Sequence, residues 1–314
     1  MRRRPTRLVT AAAIIAIAVP VAVGCEAHVH GKPPDPAASP LTVVVPQGTM
    51  APVPEAPPDE PSASFSGLDE RVRQATADAA KAGADITVTI LDRNTGQVVA
   101  HGRNDAMPIA SVVKLFIADD LLLQESRGQA RLSPEDRRSL DAMLRSSDDS
   151  AAEVFWNRSG GSEIVARVKA RYGLGATSLP FDGRWYTTLS TPGDMVRYYE
   201  KLLSGTGGLP QDKAEIILSN LAKSTPTAPD GTVPGGVYPQ RFGIPDGLPA
   251  APVAVKQGWF CCWNGGNWVH LSTGVIGPDR RYVMAIGSLQ ATDDVTARNT
   301  ITQAVRTMFP SGRI

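Results

Sequence analysis

The sequence lacks the features that mark several common classes of protein. Three cysteines in 314 residues are too few for a fold held together by disulfide bonds. The net charge is +1 and neither sign forms a long block, so we expect no nucleic-acid partner. There is no phosphate-binding loop, nucleotide fingerprint or metal-ligand spacing. We therefore predict that the protein uses no cofactor and has no metal site.

The N-terminus has the pattern of an export signal. Arginines precede an apolar run from Leu8 to Val23, which is shorter than the roughly 20 residues that a membrane-spanning helix needs. The segment Ala22-Val23-Gly24-Cys25 resembles a bacterial lipobox, in which cleavage precedes the cysteine and lipid is attached to it. We predict a lipoprotein signal peptide over residues 1–24 and a lipid on Cys25. Because Ala22 replaces the usual leucine, plain secretion and an uncleaved anchor remain alternatives.

Residues 25–64 are predicted to be a disordered tether. Ten of the chain's 26 prolines lie here, and such a segment cannot bury enough apolar surface to fold. The tether would join a lipid on Cys25 to a folded domain over residues 65–314. We therefore place the protein at the outer face of the cytoplasmic membrane, anchored by its lipid, and expect a monomer.

Apolar periodicity and turn residues predict the secondary structure of residues 65–314. Helices are expected over residues 67–81, 111–124, 134–144, 163–172, 192–203, 211–221 and 292–308, the last with Val295 facing the core. Strands are expected over residues 85–91, 97–100, 253–258, 267–276 and 281–286, with a long loop over 225–252. Strands at both ends of the domain predict an α+β fold, in which one antiparallel sheet joins the N- and C-terminal strands and helices flank it.

Ser111 and Lys114 are the first candidates for chemistry. Three residues apart at the start of an apolar helix, they lie on one face, where an amine can activate a serine hydroxyl. The helix N-terminus favours an anion there and disfavours the charged lysine. The pair alone is weak evidence, since Ser-x-x-Lys arises by chance in many proteins.

Three later motifs accompany this pair in a familiar order. They are Ser147-Asp148-Asp149, Thr191-Pro192-Gly193 and Lys256-Gln257-Gly258, the last followed by two more strands. Together with Ser111-Val112-Val113-Lys114, this order resembles the penicillin-recognising serine hydrolases, which comprise class A β-lactamases and D,D-peptidases. The resemblance covers residues 67–310. Since only 33 residues separate Lys114 from Ser147, we expect a reduced helical lobe and a more open cleft.

The resemblance implies a role for each of these residues. Ser111 would be the acylated nucleophile and Lys114 its general base. Ser147 would pass a proton to the leaving group, and Lys256 would supply positive charge. The backbone N–H groups of Ser111 and Trp259 would form the oxyanion hole. Asp148 would be structural and would tie a turn.

The substrate-binding positions depart from the family pattern. Asp149 replaces a neutral amide, Gln257 precedes Gly258 in place of a hydroxyl residue, and His270 stands where the family has an arginine that binds carboxylate. Asp149 could form an ion pair with the two lysines but would repel an acidic substrate. The only acid between Gly173 and Thr191 is Asp182, whose neighbours do not match the deacylating glutamate of β-lactamases. We therefore do not expect rapid penicillin hydrolysis.

Cys261 and Cys262 are adjacent and cannot grip a metal as a Cys-x-x-Cys pair does, so they form a vicinal disulfide or two inert thiols. With Trp259 and its aromatic neighbours they line the cleft rim or pack under the long loop.

Two functions remain open at this point. The first is an exported, lipid-anchored serine hydrolase that acts on a cell-wall peptide or another small acyl or amide substrate through an ester on Ser111. The second is a non-catalytic relative that binds cell-wall material or a protein partner.

Overall fold

The computed structural model describes residues 65–314. The predicted signal peptide, the tether and Cys25 lie outside these residues. The helices are α1 (Leu68–Lys81), α2 (Lys114–Ser126), α3 (Pro134–Arg145), α4 (Asp149–Arg158), α5 (Glu163–Tyr172), α6 (Pro192–Ser204), α7 (Gln211–Leu221), α8 (Ile244–Gly247) and α9 (Asp294–Met308). The strands are β1 (Ala84–Asp92), β2 (Val98–His101), β3 (Met107–Pro108), β4 (Leu189–Ser190), β5 (Thr227–Pro229), β6 (Val237–Pro239), β7 (Val253–Trp263), β8 (Asn267–Ile276) and β9 (Tyr282–Gln290). Among residues 65–314, no helix is both long and apolar enough to cross a membrane.

A five-stranded antiparallel sheet joins the two ends of the domain. Its strand order is β2-β1-β9-β8-β7, so the first strand pairs with the last, from Ala84 opposite Gln290 to Asp92 opposite Tyr282. Helices α1 and α9 cover one face of the sheet, and α6 packs on strands at the other face. The predicted α+β fold with a joined sheet is confirmed. Strand β7 lies at the sheet edge, next to the candidate site.

Helix α2 forms the centre of the helical part of the domain. Leu115, Phe116 and Leu122 have no exposed surface, and a buried side chain of this kind contributes about 1.5–3 kcal/mol. The helix is buried on every side because its sequence is apolar nearly all round. It also buries Asp119 and Asp120, whose carboxylates accept hydrogen bonds from side chains of α5.

Several boundaries follow local sequence signals. Ser133 and Asp136 form a capping box at the start of α3, and Thr191 accepts a hydrogen bond from the Asp194 N–H at the start of α6. The bounds predicted for α5, α7 and β8 are those observed.

Other features differ from the prediction. Helix α4 was not among the predicted helices, β7 continues five residues beyond Gly258, and the 225–252 segment contains the β5–β6 hairpin and α8. Val295 was expected in the core but is 50% exposed. It lies in the first turn of α9, and the helical spacing places it on a different face from the buried Ile301 and Val305.

Candidate active site

Ser111 lies on a 3₁₀ turn, Ala110–Val113, that leads directly into α2. The prediction put the serine in the first turn of the α-helix, and the structure moves it onto this preceding turn. Ala110 has a φ of 44°, in the left-handed region that few L-residues adopt. Strand β7 packs on the turn at Gly258, where a Cβ atom would lie 2.3 Å from the Ile109 carbonyl oxygen. A residue without a side chain therefore lets β7 pass close to the serine.

Lys114 points its amine at Ser111 from a fully buried position. Its Nζ lies 3.0 Å from the Ser111 Oγ, 2.7 Å from the Ser147 carbonyl oxygen and 3.2 Å from the Ser147 Oγ. Burial lowers the pKa of Lys114 below its usual value, and the Asp149 carboxylate opposes this shift. A lysine whose pKa is lowered beside a hydroxyl can accept that hydroxyl's proton.

Ser147 connects the two lysines. The Lys256 Nζ donates to the Ser147 Oγ at 2.7 Å. Burial lowers the pKa of Lys256 well below its usual value, and the neighbouring Lys114 lowers it further. Ser147 has a φ of 55°, which turns the chain between α3 and α4 and brings its hydroxyl between the amines. Ser111, Lys114, Ser147 and Lys256 thus form one hydrogen-bonded chain, which we call the polar floor.

Asp149 closes the polar floor on its solvent side. Its carboxylate forms an ion pair with the Lys114 amine, while its side chain remains 45% exposed. An ion pair between Asp149 and the active-site lysines is among the expectations from the sequence. Asp148 caps α4 by accepting a hydrogen bond from the Ala151 N–H at 2.7 Å, which is a structural position. Gly231, next to the β5–β6 hairpin, lies against Asp149, since a Cβ there would be 2.5 Å from the carboxylate.

Three of the predicted substrate-binding residues follow Lys256 on β7. Gln257 turns its amide nitrogen to the Phe242 carbonyl oxygen, and its buried Oε1 has no partner among residues 65–314. Gly258 supplies the close approach to the 3₁₀ turn, and Trp259 lines the cleft with its ring stacked on Tyr238 at 4.0 Å. The edge position of β7 leaves N–H groups on its outer side without a strand partner, as an oxyanion hole requires.

His270 does not reach the cleft. Its ring is completely buried, and its Nε2 shares a hydrogen bond with the Tyr238 hydroxyl at 2.7 Å. Burial, with the nearby Arg298 charge, lowers the pKa of His270 to about 3, so the ring is neutral at pH 7. The prediction that His270 contacts substrate directly is therefore wrong, because its side chain is not exposed to the cleft. Tyr238 and Phe242 come from the 225–252 segment and cover the ring.

The polar floor opens into a cleft of about 440 Å³. Aromatic side chains from two segments form one side of it, and we call them the aromatic wall: Phe181, Trp185, Tyr186, Trp259 and Phe260. Sequence reasoning missed the first three. A cluster of aromatic residues in a loop just before the Thr191 cap was the available signal. Asp182 also lines the cleft, and its carboxylate accepts hydrogen bonds from the Arg184 N–H and the Thr187 hydroxyl.

Cys261 and Cys262 are joined by a disulfide bond, and Cys261 lines the cleft beside Phe260. Trp268 instead packs on the buried His270. Trp259 and Cys261 thus line the cleft, Trp259 also packs against Tyr238 of the 225–252 segment, and Trp268 is half-buried. Within residues 65–314, no group of three or more His, Cys, Asp or Glu side chains is placed to hold a metal ion.

The arrangement suits acyl transfer. A hydroxyl lies next to a buried amine, a second hydroxyl can carry a proton, and a second amine adds positive charge in a site shielded from water. These are the components that the attack of a serine on an ester or amide requires.

Comparison with known proteins identifies the family and the fold. A model of the "Beta-lactamase enzyme family" matches residues 68–138 and 135–309. The chain is 54% identical, over the full length of both chains, to proteins named "Putative lipoprotein LppW" from Mycobacterium tuberculosis H37Rv and Mycobacterium bovis. A β-lactamase structure from Chitinophaga pinensis has a TM-score of 0.62 and 18% identity, with 79% of this chain and all of that chain covered. A structure of a PBP-A mutant in an acyl-enzyme complex with penicillin G has a TM-score of 0.63 and 17% identity, with 82% and 98% covered. At this identity, the two structures show a shared fold.

Proposed function

The chain belongs to the beta-lactamase enzyme family, and from this premise we propose that it is an exported serine hydrolase that forms an acyl-enzyme on Ser111. The observation that carries the proposal is the 3.0 Å contact between the Ser111 Oγ and the buried Lys114 Nζ. A fully buried lysine is costly to keep in a fold unless it is paired or performs chemistry. Here its amine faces the one hydroxyl that is half-buried at the cleft base.

Each member of the polar floor has a step in the proposed reaction. The Ser111 Oγ bonds to the substrate carbonyl carbon while its proton passes to Lys114. The bond from that carbon to the leaving oxygen or nitrogen then breaks, and a proton reaches the leaving group through Ser147, which Lys256 orients and polarises. The N–H groups of Ser111 and Trp259 receive the negative oxygen. Water finally gives a hydroxyl to the acyl group and a proton back to Ser111.

The second half of this reaction is proposed to be slow for penicillins. Asp182 is the one acid in the loop before Thr191, and its carboxylate already accepts hydrogen bonds from its own loop. An acid held this way is poorly placed to activate water beside Ser111. We therefore expect a penicillin adduct, if formed, to persist.

Chemical labelling tests the nucleophile. The purified full-length chain is treated separately with a fluorescent penicillin and with a fluorophosphonate, and adducts are measured by intact mass. We expect one adduct with at least one probe, and none with Ser111→Ala. The matched control is Ser219→Ala, a serine of similar exposure on α7 outside the cleft. A wild-type chain that reacts with neither probe would contradict the proposal.

A non-catalytic function is the second candidate, and the Lys114–Asp149 ion pair favours it. A carboxylate next to the amine stabilises the charged lysine, which cannot accept a proton. In that case the cleft would bind cell-wall material or a protein partner without turnover. The labelling experiment separates the two functions, because a binding protein gives no covalent adduct on Ser111.

We further propose that residues 1–24 are a lipoprotein signal peptide, that Cys25 carries the lipid and that residues 25–64 tether the 65–314 domain to the outer face of the cytoplasmic membrane. The lipobox-like segment supports this assignment, as does the name of the 54% identical relatives. Fractionation of cells that express Cys25→Ser should move the protein from membrane to medium. A variant that stays membrane-bound and uncleaved would show that Cys25 is not the anchor.

A further inference from the structure

We propose that the cleft accepts a neutral, apolar acyl group and discriminates against substrates that carry a carboxylate. The inference deepens the proposed function, because it names the substrate class of the Ser111 site. It rests on three features of the cleft: the charges that face it, the rings that line it and the positions from which carboxylate-binding groups are missing.

The charges that face the cleft disfavour an anion. Asp149 and Asp182 both present carboxylates to it, with side chains 45% and 32% exposed. Among the described residues that line the cleft, Arg184 is the one basic side chain. Its guanidinium lies 4.0 Å from Asp182 and donates to the Tyr186 hydroxyl at 2.9 Å. A substrate carboxylate would therefore meet the exposed Asp149 carboxylate and an Asp182–Arg184 pair whose charges largely offset each other.

The lysines of the polar floor do not reverse this balance. Lys114 and Lys256 have almost no exposed surface. Their amines already donate to Ser147, and burial lowers the pKa of both, which disfavours their charged form. Asp149 lies between Lys114 and the solvent side of the cleft. An anion that enters the cleft thus meets the carboxylate before it meets the amines.

The rings favour an apolar group. Phe181 is 65% exposed, although it is one of the most apolar side chains in the protein. It contacts Trp263 at a centroid distance of 6.1 Å, and Tyr186 contacts Phe260 at 6.2 Å. These two contacts join the 181–187 loop to the end of β7, and Phe181, Tyr186 and Phe260 present ring surface to the cleft. A bound acyl or aryl group would cover this surface and remove it from water.

The positions that bind carboxylate in the family are buried or hydrogen-bonded within the protein. The Gln257 amide nitrogen donates to the Phe242 carbonyl oxygen, and His270 is buried beneath Tyr238. Gln257 lines the cleft, but its side chain is almost fully buried and its amide nitrogen is held by Phe242, whereas His270 has no exposed surface. The recognition of an anion by this part of β7 and β8 would require both side chains to leave hydrogen-bonded or buried positions.

Equilibrium binding to the full-length Ser111→Ala chain tests the substrate class without turnover. The probes are butyryl p-nitroanilide and succinyl p-nitroanilide, whose acyl chains have equal numbers of carbons and differ by one carboxylate. Quenching of tryptophan fluorescence gives the Kd of each. We expect the neutral probe to bind at least about tenfold tighter. Equal affinity, or tighter binding of the succinyl probe, would overturn the inference.

Second substitutions in the Ser111→Ala background locate the discrimination. Asp149→Asn should tighten succinyl binding about threefold to tenfold and leave butyryl binding nearly unchanged. Phe181→Ala should weaken butyryl binding about threefold or more, because it removes part of the exposed ring surface. The control is Val295→Ala, a comparably exposed apolar residue on α9 that should change neither Kd. If Asp149→Asn leaves the ratio of the two Kd values unchanged, the assigned cause is wrong.

The two proposals fail separately. A chain that prefers the butyryl probe but gives no fluorophosphonate adduct on Ser111 is a binding protein for apolar acyl groups, and the hydrolase proposal fails. A chain that gives the adduct but prefers the succinyl probe is a serine hydrolase with another substrate class.

Discussion

The polar floor and the aromatic wall differ in what holds them and in how closely they follow the family pattern. The floor is buried, and a chain of hydrogen bonds between hydroxyls and amines fixes it. The wall is partly exposed, and contacts between rings of two distant segments form it. The floor keeps all four residues that the family resemblance assigns to chemistry, whereas the surrounding recognition positions have changed. In this cleft, the residues proposed to carry out the reaction are thus different from the residues proposed to select the substrate.

The largest effect should follow from changing the floor at Lys114. Lys114→Met keeps the length of the side chain and removes the amine, so the rate of fluorophosphonate labelling should fall about a hundredfold to ten-thousandfold. Methionine suits a buried position better than an amine does, but the change leaves the Ser147 carbonyl oxygen and the Asp149 carboxylate without their donor, so stability should fall by about 1–3 kcal/mol. Stopped-flow labelling and a thermal unfolding curve measure the two effects.

The control for this substitution is Lys223→Met, an exposed lysine just after α7, which should label like the wild type. If Lys114→Met also labelled at the wild-type rate, the floor would not supply the base. The chemical step could then not be assigned to the polar floor as distinct from the aromatic wall.

The next effect concerns the support beneath the wall. Trp259 stacks on Tyr238, whose hydroxyl is hydrogen-bonded to the buried His270. The pKa of His270 is about 3 in the folded chain, against an ordinary value of 6.5, so the unfolded chain binds its proton first as pH falls. Stability should therefore decline from pH 6.5 toward pH 3, by about 3–5 kcal/mol from this group.

Urea unfolding at a series of pH values measures that decline. His270→Gln keeps an acceptor for Tyr238 but does not titrate, so its stability should fall less over this range. His101→Gln changes an exposed histidine and should follow the wild type. Equal acid sensitivity in the wild type and His270→Gln would mean that His270 is not the group that links pH to the wall.

A smaller effect is expected for a substitution in strand β7, which carries both Lys256 of the polar floor and Trp259 of the aromatic wall. In Gly258→Ala, the new Cβ would lie 2.3 Å from the Ile109 carbonyl oxygen and 3.1 Å from the Val112 side chain. The strand must move away from the 3₁₀ turn, at a cost of about 1–3 kcal/mol. Labelling of Ser111 should slow about tenfold, because Trp259 and Lys256 move with the strand.

Gly175→Ala is the control for this change. Its Cβ would meet no atom within 4 Å, and its backbone is not left-handed. Urea unfolding and the labelling rate should both separate the two variants. Wild-type behaviour of Gly258→Ala would show that the close contact between β7 and the turn is not needed for either region.

The sequence predicts the floor better than the wall, for a physical reason. Ser111 and Lys114 are three residues apart on one turn, so local geometry brings them together. Strands and helices with clear alternation or caps were found to within a residue or two, as in β1 and α5. Ser147 and Lys256 were placed with them by family resemblance, not by local rules.

The remaining features depend on contacts between distant segments. Helix α4 begins with serines and aspartates that are equally typical of a turn, and packing of Phe155 and Trp156 fixes it as a helix. The burial of His270 depends on Tyr238, which is 32 residues away. The alternation of residues along β8 cannot reveal that a distant tyrosine covers His270. The part of the wall formed by the 181–187 loop is set in the same way, because a loop takes its position from the structure around it.

The smallest predicted effect lies at the boundary between floor and wall, in Asp149→Asn. The carboxylate raises the pKa of Lys114, so its removal should lower that pKa and increase the fraction of free amine at a given pH. Because Asp149 is half-exposed and solvent screens it, the gain in labelling rate at neutral pH should be at most about fivefold. The rising limb of the rate against pH should also move to lower pH, which a profile of fluorophosphonate labelling measures. The comparison variant is Asp148→Asn, which retains an asparagine cap for α4; the Asp148 carboxylate also raises the pKa of Lys114 but is the smaller cause, so the limb should move less than in Asp149→Asn. A limb that moves to higher pH would mean that Asp149 orients Lys114 more than it charges it, and the carboxylate would then belong to the floor and not to the recognition surface.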